Sequence, residues 1–320
     1  MTTSPPPATP RPASRRPARP QIVLSVERTE WLTPRMVRVV AGGPGVADLV
    51  GNPAAPIHST DKYTKIIFAK PELALLPPYN LEALRESLPQ EDWPVTRTYT
   101  IRWIQEAAQQ IAIDFVVHGT DGVAGPWAAS AVAGDPLVLG GVGGAYAPSA
   151  DADWHVLAGD ESALPAISSA LEFMHPDARG VAHIEVEDAA DVQALRAPAG
   201  VRVDWILRGH DRTVGTLAEA VDASLDGLLG GAAEGSPATA RDASLDGAAE
   251  ALRVADGLPA DATVQVFAHG ERESMKAIRA VLARRGIARE RFSLSGYWAY
   301  GRTEDRFQAE KREPIGQIEA

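Results

Sequence analysis

With 320 residues the chain exceeds what one hydrophobic core organises, so two domains of ordinary size are expected. Hydrophobic residues make up 45% and charged residues 23%, a soluble composition with no apolar run of membrane-spanning length. The formal charge of −11 disfavours a nucleic-acid surface, and the zero cysteine count excludes disulfides, thiol nucleophiles, cysteine-ligated iron–sulfur clusters and thiolate zinc sites, so redox chemistry would fall to an organic cofactor.

Residues 1–20 alternate proline with Ala, Ser, Thr and Arg, a mix too poor in large apolar groups to fold, and read as a disordered tail. Arg15 and Arg16 are adjacent but no apolar stretch follows them, so the expectation is a cytoplasmic protein without an export signal. From 21 to 150, short β-like runs over 22–26, 36–40, 63–68, 97–104, 111–117 and 136–139 are parted by Gly, Pro and Asp, with one short helix over 81–88. Six such runs predict an antiparallel β-barrel of Greek-key type.

After residue 151 strand and helix alternate. A run over 154–158 leads into a helix on which Leu164, Ile167, Leu171 and Met174 recur at helical spacing, with Ser162 as the expected cap and Pro165 in the first turn, where its missing N–H costs little. Strands over 181–186, 201–207, 263–268 and 292–295, and a helix carrying Met275, Ile278 and Leu282 on one face, predict a Rossmann-like parallel α/β domain over 151–320. Its charged end, 301–320, reads as a terminal helix or arm. The hexapeptide Asp222-Ala-Ser-Leu-Asp-Gly227 recurs as Asp242-Ala-Ser-Leu-Asp-Gly247, which predicts a low-complexity surface excursion near 225–250 made by local duplication. The seven histidines show no metal-ligand spacing, so no metal site is expected.

Several stretches combine residues suited to binding a nucleotide. Arg97-Thr-Tyr-Thr100 puts a cation, a ring and hydroxyls on one strand, with Arg97 and Tyr99 on one face and Thr98 and Thr100 on the other. A guanidinium suits a diphosphate and a phenol can lie against a flavin ring, although an ordinary edge strand has the same composition. Asp114-Phe-Val-Val-His118 ends a strand, and the glycine-led turn Gly125-Pro-Trp-Ala-Ala-Ser130 opens a short helix whose N–H groups can face phosphate. Leu139-Gly-Gly-Val-Gly-Gly-Ala-Tyr146 is a glycine-rich exit. Asp160-Glu-Ser-Ala-Leu-Pro165 lies between a strand and a helix, where open parallel sheets bind nucleotides, but lacks the GxGxxG pattern.

Taken in order, Arg-x-Tyr-Thr, Asp-Phe-x-x-His-Gly, the Gly-Pro turn, Gly-Gly-Ala-Tyr, the 159–167 segment and Gly296-Tyr-Trp-x-x-Gly301 resemble the siderophore-interacting proteins over about 21–304, the excursion excepted. The resemblance implies FAD on the barrel, over 21–150, and NADPH or NADH on the α/β domain. It assigns Arg97, Thr98, Tyr99 and Thr100 to the flavin. Asp114, Val116, His118 and the turn of Gly125, Trp127, Ala128, Ala129 and Ser130 go to the diphosphate region, and Tyr146 to the adenine side. Trp127 departs from the small residue expected in that turn.

The nicotinamide side would comprise Asp160, Ser162, Ala163, Leu164, Gly270 and Glu271, with Tyr297 and Trp298 approaching the flavin. Arg208 and Lys276 are candidates for a ribose phosphate. The implied activity is passage of electrons from the nicotinamide through FAD to a ferric siderophore, and the implied substrate cations are Lys65 and Arg302. No side chain need act as acid, base or nucleophile, because the cofactors carry the chemistry. The partner is a small molecule, with no nucleic acid, no membrane and a monomer expected. The alternatives are a flavin reductase serving a protein partner and a non-catalytic siderophore or flavin-binding module.

Overall fold

The structure is a computed structural model and describes residues 20–120, 122–208, 215–229 and 262–318. Six antiparallel strands, β1 (Ile22–Thr33), β2 (Met36–Gly42), β3 (Tyr63–Phe68), β4 (Val95–Gln105), β5 (Gln110–Val116) and β6 (Pro136–Gly143), close into a barrel in the order β1-β2-β5-β4-β3-β6. Alternation explains the closure: Val37, Val39, Ile66, Ile101, Ile111, Ile113, Leu137 and Leu139 all turn inward and are buried together. Strand β1 runs well past the predicted residue 26. Its second half, Glu27 to Trp31, is exposed and pairs with β2 through two register shifts, so its polar composition hides the strand.

Three short helices plug and flank the barrel. Helix α1 (Gly45–Val50), which the sequence pattern does not reveal, buries Val46 and Leu49 in the barrel core. Helix α2 (Leu81–Ser87) lies where a helix is predicted, with Asn80 Oδ1 accepting from the Ala83 N–H as its cap. Helix α3 (Ala124–Ser130) sets Trp127 edge-on to Phe68 at 5.3 Å.

The second layer is a parallel sheet, β7 (Trp154–Gly159), β8 (Arg179–Val186), β9 (Gly200–Leu207), β10 (Val264–Glu271) and β11 (Phe292–Trp298), in the order β11-β10-β7-β8-β9. Helix α4 (Leu164–Phe173) is buried from Leu164 to Leu171 because it is covered twice. It packs on the sheet through Leu157, Ile184 and Phe267, and on the barrel through Met36 and the Ser169 hydroxyl, which donates to the Arg102 carbonyl at 2.8 Å. The opposite sheet face is covered by α5 (Thr216–Leu229) and α6 (Arg272–Arg284), and α7 (Glu304–Glu310) follows β11.

Two expectations are corrected here. Ser162 does not cap α4: the cap position is Ala163, with no side-chain hydrogen bond, because the Ser162 hydroxyl is drawn to Asp160. Of the excursion expected near 225–250, residues 230–250 lie outside the described residues, and what is corrected is the placement of the first copy of the duplicated hexapeptide. That copy lies within α5, where Leu225 is buried, Asp222 accepts from Arg284 and Arg285, and Asp226 accepts from Arg285. The second copy, 242–247, lies outside the described residues.

Candidate functional site

Strands β7, β8 and β9 progress in one direction and β10 then returns to the other side of β7, so the strand order reverses between β7 and β10. Nucleotides bind open parallel sheets at the carboxyl ends of such a pair. At this point stands Asp160, buried directly after β7. Its Oδ1 accepts from the Ser162 N–H at 2.9 Å and the Ser162 hydroxyl at 2.5 Å; its Oδ2 accepts from the Glu271 N–H and Trp298 Nε1, both at 2.8 Å. One carboxylate thus ties the ends of β7, β10 and β11 together. Gly270 permits it, since its φ is +150° and a Cβ there would lie 2.7 Å from Asp160 Oδ2. Glu271 caps α6 by accepting from the Glu273 and Ser274 N–H groups, and takes the Tyr300 N–H on its other oxygen. Ala163 and Leu164 are buried, and their N–H groups donate to the Asp160 carbonyl at 2.9 and 3.0 Å, so both residues build the turn into α4.

The aromatic end of β11 reaches across to the barrel. The Tyr297 hydroxyl lies 2.8 Å from His269 Nδ1, and Tyr297 stands beside the Thr100 side chain of β4. Burial pushes that phenol well above its ordinary value, and it pushes the His269 imidazole down to about 3, leaving it neutral. His269 stacks on Phe267 at 4.0 Å, and Phe267 meets the Tyr146 ring at 4.7 Å. On the barrel side the buried Asp61 carboxylate accepts from the Ala145 and Tyr146 N–H groups at 2.9 and 2.8 Å. Burial raises Asp61 and lowers its neighbour Lys62. The predicted residues Thr100, Tyr146, Tyr297 and Trp298 therefore share one seam with the Asp160 node.

Strand β4 alternates as its spacing requires. Thr98 is exposed opposite Lys65, its register partner on β3, whereas the Tyr99 ring turns onto Phe115 at 4.4 Å and joins the barrel core. One face of Tyr99 is thus committed to packing. Arg97 pairs with Asp305 at 3.1 Å, linking the barrel to α7. His118 is exposed just beyond β5, and Val116 packs half-buried toward α4.

Other predicted residues stand elsewhere or are already engaged. Asp114 is buried and gripped by Arg38 at 2.6 and 2.7 Å, which holds β5 to β2 and leaves no free carboxylate. In α3, Gly125 sits against the Val116 carbonyl, Ala128 is buried, Ala129 is exposed, and Trp127 packs on Phe115 and Phe68. Ser130 ends the helix with its hydroxyl turned back on the Pro126 and Trp127 carbonyls, so a phosphate at the opposite end would not meet it. Arg302 donates to Glu310 at 2.8 Å. That carboxylate also accepts from Arg272 and Arg306, and the three guanidiniums pull it down to about 2. Arg208 is the clearest correction. It is neither a solvated charge nor open to a phosphate, because Glu161, Glu185 and Glu187 all accept from it between 2.7 and 3.2 Å. Lys276 donates to Glu273 and to the Ile315 carbonyl.

Sequence reasoning misses Asp61; it places Tyr63 between Lys62 and Lys65 and His269 within the segment 267–271 as a second wall of the nucleotide site, without giving either side chain a role of its own. Asp61 stands outside any motif, and His269 signals itself only as a histidine on a strand whose neighbours are apolar. The residues at the seam fit a flavin dinucleotide. Tyr146 Oη is buried without a hydrogen-bond partner among the described residues, and Tyr63, Lys65 and Thr98 offer an exposed aromatic, cationic and hydroxyl strip on β3 and β4. Gly143 lets β6 approach the Tyr63 ring, which a Cβ would strike.

A closed antiparallel barrel followed by a parallel sheet, meeting at such a seam, defines the ferredoxin-reductase-like class of flavoprotein folds. A ferredoxin NADP+ reductase from Neisseria gonorrhoeae, solved with FAD and NADP, shares this fold at 11% identity and a TM-score of 0.52, covering 87% of this chain and 98% of that one. The chain belongs to the siderophore-interacting protein family: residues 25–146 match the siderophore-interacting FAD-binding domain and residues 152–301 the siderophore-interacting protein domain. It is 42% identical to an uncharacterized protein of Mycobacterium tuberculosis, over 92% of this chain and 96% of that protein, and 30% identical to the ferric vibriobactin reductase ViuB of Vibrio cholerae, over 90% and 93%. A siderophore utilization protein from T. fusca superposes with a TM-score of 0.62 at 31% identity, covering 89% and 95%. Among the described residues no helix is long and apolar enough to cross a membrane, and no group of His, Asp or Glu side chains suits a metal ion.

Proposed function

We propose that the chain is an NAD(P)H-dependent, FAD-mediated reductase that converts a ferric siderophore to a form that releases ferrous iron. The observation that carries this reading is the seam itself, where Tyr297 of the sheet, set by His269, stands beside Thr100 of the barrel, on the strand whose exposed Thr98 pairs with the exposed Lys65 of β3. Support also comes from the relatives: besides ViuB, the NADPH-dependent ferric-chelate reductase of Escherichia coli is 30% identical over 63% of this chain and 74% of its own length. FAD, when bound, accepts an electron pair from the nicotinamide and passes electrons singly to iron.

The protein's part is binding and orientation. The barrel half, 21–150, would hold FAD through Arg97, Thr98, Tyr99, Thr100, Tyr146 and His118, with the Gly125–Ala129 backbone beside the diphosphate. The sheet half, 151–320, would take the nicotinamide over the ends of β7 and β10, where Asp160 fixes Ser162, Glu271 and Trp298 in one constellation. The neutral His269 sets the Tyr297 ring. Lys65 supplies positive charge for an acidic chelate, and reduction weakens the iron's bonds to hard oxygen donors. The need for reduced nicotinamide supports a cytoplasmic location.

Anaerobic mixing tests the proposal. NADH or NADPH should bleach the bound flavin, and a ferric siderophore should restore its colour while a ferrous chelator traps the iron. A flavin bleached normally but reoxidised only by a ferredoxin or flavodoxin would make the chain a reductase of protein partners. Protein that takes up FAD but is not bleached would be a binding module.

A further inference from the structure

Edge strand β11 carries a second feature on the side away from β10, toward its amino end. Between β11, α6, α7 and the short 3-10 turn Pro314–Gly316 lies a cavity of about 450 Å³. Arg272, Arg279, Arg289 and Lys311 line it, and among the described residues no Asp or Glu does. Arg272 is neutralised by Glu310 and Glu273. Among the described residues Arg279, Arg289 and Lys311 form no ion pair, in a chain where 42 acidic residues outnumber 31 basic ones. Three cations that line one cavity and form no ion pair among the described residues, in a chain where acids are in excess, suit an anion.

The three charges are also held in place. Arg279 and Arg289 lie over the Phe292 ring at 5.3 and 4.8 Å from its centre, and Lys311 Nζ lies 4.7 Å from the centre of Phe307. Arg289 is anchored further by donating to the Phe292 carbonyl at 2.9 Å. Ordering long side chains in advance removes part of the entropy that binding would otherwise cost.

We propose that this cavity is a second ligand site, lined by none of the seam residues, that binds a multivalent oxyanion, a phosphate or polycarboxylate, through Arg279, Arg289 and Lys311. Two guanidiniums present planar forks to such oxygens and the ammonium adds a point charge. Burial, and then repulsion from Lys65 of β3, already lower the Lys311 ammonium against the favourable pull of Glu304; a bound anion opposes both lowering effects. The site does not depend on the reductase reading, because the anion would bind whether or not the flavin is ever reduced.

Isothermal titration of the FAD-loaded chain at constant ionic strength decides it, with inorganic pyrophosphate and citrate as separate probes to distinguish phosphate from carboxylate chemistry. One site per chain with a Kd below about 1 mM for either probe is expected. The Arg279→Gln/Arg289→Gln double variant and Lys311→Gln alone should each weaken binding about tenfold or more, whereas Lys65→Gln should leave it within about twofold. Heat unfolding without anion shows whether each variant is folded, and Lys311→Gln keeps the test open should the double variant fail. Loss of binding in Lys65→Gln but not in the cavity variants would move the anion to the seam and overturn the proposal, as would no saturable heat with either probe. Glu319 follows Ile318 in sequence, so Glu319→Gln is a further arm. Unchanged affinity is expected, and a gain of about tenfold would assign the cations to the chain's own carboxylate instead.

Discussion

The Tyr297 hydroxyl and His269 Nδ1 lie 2.8 Å apart, and the other imidazole nitrogen lies 3.0 Å from the Ser293 hydroxyl. A neutral imidazole donates from one nitrogen and accepts at the other, so both contacts are met without a charge. Because Tyr297 stands beside Thr100 of the barrel, the histidine fixes an aromatic side chain that lies where the two halves meet. Protonating His269 would place a charge in the middle of this buried chain of rings.

That gives a pH dependence. The unfolded chain protonates this histidine near its ordinary 6.5, whereas the native imidazole stays neutral until about pH 3. Between those values the unfolded state binds the extra proton, so native stability is fully present above pH 6.5 and falls as the pH drops, by up to about 1.4 kcal/mol per pH unit. His155, also lowered by burial, adds to the same trend. Urea unfolding from pH 7.5 to 4.5 should show a shallower decline in His269→Gln than in the parent protein. Parallel declines would mean that His269 is solvated.

Asp160 is the second test. In Asp160→Ala the Glu271 N–H and Trp298 Nε1–H lose their acceptor, and the expected loss is roughly 3 kcal/mol. Gly270→Ala should cost about 2 kcal/mol, since its φ of +150° suits only glycine and the added methyl meets the same carboxylate. Chemical denaturation measures both losses. Tryptophan emission should change in Asp160→Ala if the Trp298 indole is released.

The barrel and the sheet are legible in the sequence because each strand's burial pattern is periodic, and the alternation of Arg97, Thr98, Tyr99 and Thr100 follows from the two-residue repeat alone. What alternation does not tell is which face a neighbour claims. Tyr99 points toward Phe115 because β4 lies between β5 and β3 in the barrel. Asp114 is consumed by Arg38 through a pairing of β2 with β5 that no local motif records. The same holds for Arg208, whose three carboxylate partners come from the ends of two other strands. His269 looked unremarkable for a related reason: its significance comes from β10 and β11 being neighbours, and those strands are separated by a helix.

Arg208 yields a prediction with the opposite sign from His269. Removing the guanidinium in Arg208→Met leaves Glu161, Glu185 and Glu187 facing one another, and at pH 8 the cost should be about 3 to 5 kcal/mol. Burial and Asp160 already raise Glu161, and loss of Arg208 removes what opposes them. Carboxylates raised in the native state take up protons that the unfolded chain does not, so the variant should regain stability as the pH falls from 8 to 5. The parent protein should lose stability over the lower part of that range. A variant that tracks the parent would show the carboxylates to be solvated.

Lys65 and Arg302 separate direct from indirect action on a substrate. Lys65 is exposed beside Thr98, so Lys65→Gln should raise the KM for an anionic ferric siderophore about fivefold, near 1 kcal/mol, with kcat and melting temperature little changed. The effect should fade at high salt, as expected of a charge in water. Arg302 is bound to Glu310 together with Arg272 and Arg306, so its loss loosens the anchoring of α7 before it affects any ligand. Arg302→Gln should therefore lower the melting temperature, and any rise in KM should persist at high salt because it comes from displaced structure. A salt-sensitive rise in KM with unchanged melting would instead place Arg302 against the chelate and require Glu310 to release it.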